Sequence, residues 1–393
     1  MRRQGSSVPP LRFGLNLPPV LPPRMQIGLA KVTEYLGFDF VWLADHMLFP
    51  NLLPCPDAWT LIAAAAPHTK RIIFGTGVSD AHRMHPAVLA QRIATTDQLA
   101  KGRIVLGLGS GEAMNLDPFG IPWDRKVRRV KESVAVLKGL LESDEPLNYS
   151  GDFYRTRSAR LRVRPYKARK IPLYLAALGP LMQKFAGEVA DGWLPVSIPP
   201  DQWARAFEPI RESALACGRN PDDIDRIAHI VVALSPNEEK ILDMLQHHAL
   251  GVVWPPVMER LGIQLEHAEE LRRINYMTVN PCDDAQRERF EELQMSIPRD
   301  VLRRMTAIGD VPKLRRVIGE YVDAGATHIH FTNASLDPTA TVTLAAEIIP
   351  YFKRRTAPFT VAFLNAGVTM LRRAGVVREA DPDAGIEWVK KQQ

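Results

Sequence analysis

Cysteine is scarce in this sequence. Three residues, Cys55, Cys217 and Cys282, lie far apart in a chain of 393 residues. They form no C-x-x-C pair and their number is odd, which argues against a disulfide framework and favours a reducing compartment. We therefore expect a cytoplasmic protein.

Long apolar runs are also missing. No stretch of 18 apolar residues exists, so no segment is predicted to cross a membrane. The start, MRRQGSSVPP, is basic, but no apolar region follows it, and we expect no signal peptide. The most apolar stretch near the end, residues 357–370, is interpreted as a helix packed on the body rather than a membrane anchor.

Several function classes lack their motifs. The net charge is +6, yet there is no basic block, zinc-finger pattern or aromatic RNA-binding motif, so we predict small anionic ligands and no nucleic-acid partner. No Gly-x-Ser-x-Gly elbow supports a serine hydrolase. The histidines lack convincing ligand spacing, and we predict no metal. His328 and His330 share one strand face and are expected to pack or to line a pocket.

What the sequence does contain is a regular alternation of apolar strand-like runs and helical patterns. Strands alternating with helices imply a parallel sheet, and eight such units fit a (β/α)8 TIM barrel, with a doubly wound open sheet as the second choice. We predict one barrel domain over 11–355, with a hairpin insertion at 147–166, a helical insertion at 236–305 and a peripheral tail at 356–393. The predicted strands cover 11–16, 38–44, 71–78, 103–109, 171–177, 191–197, 226–234 and 327–333.

The stretch LGLGSGEAMN, residues 106–115, looks like a nucleotide loop. However, Glu112 occupies the third glycine position of a dinucleotide fingerprint, where it would repel a pyrophosphate, and the stretch follows the fourth strand rather than the first. We therefore interpret Gly107 and Gly109 as positions where backbone passes close to a flat ligand. Glu112, at a strand's carboxyl end, then becomes a candidate proton donor or acceptor.

Three other strand ends carry candidate groups. Asp45 and His46 end the second strand and could form a proton relay or bind a heterocycle. Residues 75–80, GTGVSD, indicate unusual backbone that presses on a ligand. Residues 176–180, AALGP, open a helix with proline at its first position, and the free N–H groups suit a phosphate.

Taken together, these strand ends resemble the luciferase-like flavin/deazaflavin oxidoreductases over about residues 11–355. The resemblance is strongest in WLADH (42–46), in the segment 74–112 and in PLYLAALGPLMQKFAGEVADGW (172–193). The Gly-Ser-Gly-Glu at 109–112, followed by Asn115, resembles the branch that uses coenzyme F420. PFGIPW (118–123) and VVWPPVMERLG (252–262) are similar to methylenetetrahydromethanopterin reductases and phthiodiolone-type ketoreductases, and TNASLDP (332–338) leans toward the ketoreductases.

The resemblance implies roles for individual residues. His46 and Glu112 match the catalytic polar pair at the deazaflavin face. Gly77-Val78 matches a bulge with a non-prolyl cis peptide behind the ring. Leu178-Gly179-Pro180 matches the turn that takes the cofactor phosphate. The full set of implied cofactor-binding residues is Asp45, Thr76, Gly77, Val78, Gly111, Asn115, Ala177, Leu178, Gly179 and Pro180.

The implied reaction is hydride transfer between reduced deazaflavin and a carbonyl or methylene-pterin type substrate, in a homodimeric enzyme. Segment 191–203 lacks the lysine that deazaflavin sugar-phosphate dehydrogenases carry there, which favours a less charged substrate. Trp254, Pro255 and Pro256 could help to close the pocket. Two alternatives stay open: an FMN-dependent monooxygenase of the same fold, and a non-catalytic deazaflavin-binding protein.

Overall fold

The architecture is a closed parallel barrel surrounded by helices, seen in a computed structural model that describes residues 10–196, 198–335 and 338–353. The pairing runs in the order β1-β2-β3-β5-β8-β9-β10-β12 and returns to β1, which closes eight strand positions. The predicted TIM barrel is therefore confirmed, and the open sheet is wrong. The strands are β1 Arg12–Asn16, β2 Phe40–Leu43, β3 Ile73–Thr76, β4 Ser79–Asp80, β5 Ile104–Gly109, β6 Leu147–Ser150, β7 Arg155–Ala159, β8 Leu173–Leu175, β9 Gly192–Trp193, β10 Asp225–Leu234, β11 Thr306–Gly309 and β12 His328–Asn333.

Amphipathic helices cover the outside of the barrel. Helix α4 illustrates the pattern, because Val130, Val134 and Leu137 recur at helical spacing and all are buried. The helices are α1 Pro23–Tyr35, α2 Ala58–Ala65, α3 Pro86–Leu99, α4 Lys126–Glu142, α5 Pro180–Val189, α6 Pro200–Ala216, α7 Glu238–Gln246, α8 Ala249–Val252, α9 Pro255–Arg260, α10 Ala268–Arg273, α11 Asp284–Met295, α12 Arg299–Met305, α13 Val311–Asp323, α14 Pro338–Thr343 and α15 Ile349–Lys353. Within the described residues, no helix is long and apolar enough to cross a membrane.

The third strand is interrupted by a bulge. Gly75 is opposite Val105 and Ser79 is opposite Leu108, so four steps along one strand match three along the other. The extra residue falls at Gly77-Val78, where the peptide bond is cis, as the resemblance implied. The bulge lies at the carboxyl end of the strand, which is the end that carries ligand sites in this fold.

Two segments interrupt the alternation of strands and helices. Strands β6 and β7 form an antiparallel hairpin after α4, and helices α7 to α12 lie between β10 and β11. The short strand β11 was not predicted, and it pairs in parallel with the end of β10. After β12, residues 338–353 form α14, a π-helical turn at Leu344–Ile348, and α15. The predicted tail at 356–393 and the start of the chain lie outside the described residues.

Candidate active site

Three of the predicted side chains converge at the barrel mouth. The side-chain amide of Asn115 lies 3.3 Å from His46 Nδ1 and donates to Glu112 Oε2, also at 3.3 Å. Its Oδ1 accepts the backbone N–H groups of Met47 at 2.6 Å and Leu48 at 2.9 Å. One almost fully buried amide therefore joins the two groups proposed as catalytic and fixes the loop that follows β2.

The helical segment after β10 brings a residue that the sequence did not predict to this cluster. The Tyr276 ring centroid lies 6.3 Å from that of His46. Burial raises the pKa of Tyr276 well above its usual value, and the nearby Glu112 carboxylate raises it further, so the phenol stays protonated. The backbone N–H of Ala113 donates to Met277 O at 2.8 Å and ties the two segments together. No local pattern could have indicated a contact between positions so distant in sequence.

Asp45 belongs to a buried ionic network, and its predicted contact with the cofactor stays a prediction. Its carboxylate accepts a hydrogen bond from Ser79 Oγ and pairs with the Arg83 guanidinium at 3.2 Å. Arg83 also pairs with Asp80. Burial alone would lower the pKa of Arg83, but the two carboxylates outweigh it and raise that pKa. Asp45 therefore anchors the loop after β4, and Arg83 is the partner that the sequence analysis missed.

The glycines of β5 make room for the protein itself. A Cβ on Gly107 would lie 1.9 Å from Thr76 O, and one on Gly109 would lie 2.8 Å from Val78 Cγ2. The bulge therefore occupies both spaces, and the close approach of this backbone to a flat ligand stays a prediction. The Thr76 hydroxyl donates to Gly107 O at 2.9 Å in the same contact. Gly111 has a φ of +73°, which favours glycine at this turn.

In the turn after β8, Gly179 and Pro180 open a helix, as expected. Pro180 is the first residue of α5, no side chain caps the helix at Gly179, and a Cβ there would meet nothing within 4 Å. The first N–H groups of α5 therefore have no side-chain cap. The side chain of Ala177 points away from the turn, into the large apolar cluster that packs the helices against the strands, called here the outer core. The Ala177 carbonyl accepts the Trp193 indole N–H at 2.7 Å. Leu178 is half-buried beside the turn.

His328 and His330, which were predicted to pack or to line the pocket, are buried inside the barrel. In the part of the chain that the structure describes, no three His, Cys, Asp or Glu residues are placed to hold a metal ion. Trp254 is half-buried and packs against the outer core, next to helix α9.

A parallel eight-position barrel defines a TIM-barrel protein, a fold whose ligand sites lie at the carboxyl ends of the strands, where the polar cluster is found. The sequence profile of the luciferase-like monooxygenases matches residues 5–328, and the chain belongs to that family.

Similar proteins of known activity include F420-dependent enzymes. The chain is 28% identical to a 5,10-methylenetetrahydromethanopterin reductase of Methanopyrus kandleri, over 87% of this chain and 98% of that protein. It is also 28% identical to an F420-dependent glucose-6-phosphate dehydrogenase of Microbacterium testaceum, over 88% and 99%. Among solved structures, an F420-dependent secondary alcohol dehydrogenase with an F420–acetone adduct is similar at a TM-score of 0.72 and 25% identity, over 88% of this chain and 98% of that one.

Proposed function

We propose that this chain is a coenzyme F420-dependent oxidoreductase that acts on a carbonyl or methylene-pterin type substrate. The observation that carries the proposal is the cluster in which Asn115 joins His46 to Glu112 beside the bulge of the third strand. The F420-dependent relatives, which match this chain over almost its whole length, support the choice of cofactor.

The residues at the mouth fit a flat cofactor with a phosphate. Val78 is half-buried at the bulge, so its side chain offers an apolar surface for one face of a ring. The uncapped start of α5 at Gly179 and Pro180 offers backbone N–H groups to a phosphate. We assign the ring to the space between Val78 and the His46–Glu112 pair, and the phosphate to the turn. When bound, reduced F420 supplies a hydride.

The protein's own residues position a proton. The side-chain amide of Asn115 donates to Glu112 Oε2 and so orients that carboxylate, and the same amide fixes the ring of His46. Either group can then give a proton to, or take one from, the substrate oxygen or nitrogen, which contributes about 10²–10⁴ in rate. The phenol of Tyr276, kept protonated, adds a hydrogen-bond donor above the same space.

The substrate is less charged than a sugar phosphate. The segment 191–203 after β9 carries no lysine or arginine, so no cation from it meets a phosphate on the substrate. We further propose a cytoplasmic homodimer. The three cysteines are all free, as a reducing compartment requires, and the dimer rests on the family resemblance alone.

Cofactor titration tests the proposal first. Absorbance spectra should show saturable binding of F420 that is about tenfold or more tighter than that of FMN. Tighter FMN binding with oxygen consumption would indicate the monooxygenase instead. A screen of ketones and methylene-tetrahydropterins should then find a substrate, and F420 binding with no turnover of either class would indicate the non-catalytic protein.

Two substitutions test the roles of the site residues. In Glu112→Gln and His46→Ala, we expect F420 binding within about threefold of wild type and kcat lower by about 10²–10⁴. Glu145→Gln, at an exposed glutamate far from the mouth, is the matched control and should change neither quantity. Unchanged kcat in both site variants would contradict the assignment.

A further inference from the structure

The axis of the barrel contains buried polar atoms that have no hydrogen-bond partner among the described residues. They are the indole Nε1 of Trp42, Nε2 of His328 and both ring nitrogens of His330. The side chains are 0%, 0% and 4% exposed, respectively. Buried polar groups almost always have partners, and each exception needs an explanation. Four such atoms on three neighbouring rings of one barrel interior need a common explanation.

The chemistry of two of these atoms is complementary. The indole N–H of Trp42 can only donate. His328 Nδ1 lies 3.3 Å from the Asp225 carboxylate and donates to it, so Nε2 is left as an acceptor. Both atoms lie 2.8 Å from one point, the ideal Cβ position of Gly14, so the two nitrogens are at most about 5.6 Å apart, twice that distance. A water molecule between the two nitrogens could accept from the indole and donate to the imidazole.

His330 continues the series of polar groups toward the mouth. Its ring centroid lies 5.6 Å from that of Trp42 and 4.8 Å from that of His229, which is its partner in register on β10. His229 Nε2 in turn lies 2.8 Å from the hydroxyl of Thr332. Thr332 is half-buried near the carboxyl end of β12, so the series reaches the mouth end of the barrel.

At the opposite end, the series reaches solvent. The Asp225 carboxylate accepts from the Tyr174 hydroxyl at 2.8 Å and from the Thr327 hydroxyl at 2.6 Å. It also pairs at 2.7 Å with Arg12, whose side chain is 35% exposed at the amino-terminal end of the barrel. Polar groups therefore extend from one end of the barrel to the other.

We propose that ordered water bridges Trp42, His328 and His330, and that this hydrogen-bonded chain of water and imidazoles runs through the barrel from solvent at the Arg12 end to the underside of the bound ring. The role toward the ring rests on the proposed function; the water chain does not. Burial lowers the pKa of His229, His328 and His330, so each is neutral at pH 7.

Hydrogen exchange of the Trp42 indole in the free protein tests the water. The indole resonance is observed by NMR in protein labelled with 15N-tryptophan and assigned by its loss in Trp42→Phe. We expect a nuclear Overhauser effect to water and exchange at least about tenfold faster than that of Trp193, an equally buried indole bonded to a protein carbonyl. Equal exchange rates with no Overhauser effect would overturn the proposal.

A pair of adjacent residues on β12 provides the variant and its control. His330→Phe removes both unpartnered nitrogens and fills the space, so Trp42 exchange should slow by about tenfold or more. Phe331→Leu changes the neighbouring side chain, which packs in the outer core, and should leave that rate within about threefold. If the first variant is unfolded by circular dichroism, the wild-type comparison of the two indoles decides the question.

Saturating F420 tests the route. Because the water chain opens to solvent at the Arg12 end, the hydrogen-exchange rate of the Trp42 indole should stay within about threefold of its value in the free protein when F420 covers the mouth. Protection by more than about tenfold would show that water enters only from the mouth and would refute a through-barrel route. If F420 does not bind at all, the proposed function fails, while the measurements on the free protein still decide whether the water chain exists.

Discussion

Substituting Asn115→Asp would place a second carboxyl group beside Glu112. The change keeps the oxygen that accepts two backbone N–H groups, and it replaces the nitrogen that lies 3.3 Å from Glu112 Oε2. Two unit charges at 3.3 Å repel by about 5 kcal/mol at an effective dielectric constant of about 20. Because Glu112 is only half-buried, solvent screens part of this repulsion, and we expect the folded variant to be destabilised by about 1–3 kcal/mol.

The penalty depends on pH in a defined direction. Repulsion raises the pKa of the carboxyl pair in the folded variant by roughly one to two units above the unfolded value of about 3.9. The destabilisation is therefore nearly absent below about pH 3, grows as the pH rises from the unfolded pKa to the folded pKa, and is complete by pH 7. At about 2 °C per kcal/mol, the melting temperature of the free variant should fall by about 2–6 °C relative to wild type at pH 7.

Thermal melts of the free protein from pH 4 to pH 8 measure this effect without any cofactor or substrate. The double variant Glu112→Gln/Asn115→Asp removes the repulsion and should regain most of the wild-type pH dependence. Asn115→Ala, which loses both kinds of hydrogen bond, should be destabilised by about 2 kcal/mol or more at every pH. A pH profile of Asn115→Asp identical to that of wild type would refute the proposed contact between the two side chains.

Two further substitutions examine the supports of the site. Arg83→Met should cost about 3–5 kcal/mol in urea unfolding at pH 7, because it leaves the buried carboxylates of Asp45 and Asp80 unpaired; a loss below about 1 kcal/mol would contradict the network. Gly107→Ala should cost about 3 kcal/mol or more, because its Cβ would meet a carbonyl oxygen at 1.9 Å, whereas Gly319→Ala in α13, with nothing within 4 Å, should stabilise by about 0.5–1 kcal/mol.

The barrel could be predicted because each strand has its own local signal. Eight apolar runs separated by helical patterns give the parallel topology without knowledge of any distant contact. Strand β11 escaped prediction because Thr306–Gly309 is only four residues long and directly follows a helix. Its strand character comes from pairing with β10, about 75 residues earlier, and not from its own composition.

Residues of the site were predictable only where strand ends carry them. His46 follows β2 and Asn115 follows β5, and closure of the barrel brings these ends together. Tyr276 reaches the same place from the helical segment after β10, so its position depends on a long-range contact. The pairing of Asp45 with Arg83 was not predictable, since it depends on how the loop after β4 turns back.

The contacts around the bulge imply that the mouth is formed before any cofactor binds. Gly107 and Gly109 leave spaces that Thr76 O and Val78 fill in the free chain, so ring binding requires no rearrangement of β3 or β5. The segment 275–279, on the other side of the mouth, is held less tightly. Among the described residues, one backbone hydrogen bond, from Ala113 N–H to Met277 O, joins it to the loop after β5. We therefore expect ligand binding to change hydrogen exchange in the segment 275–279 more than in the barrel strands, since a preformed site concentrates the response in its least constrained part.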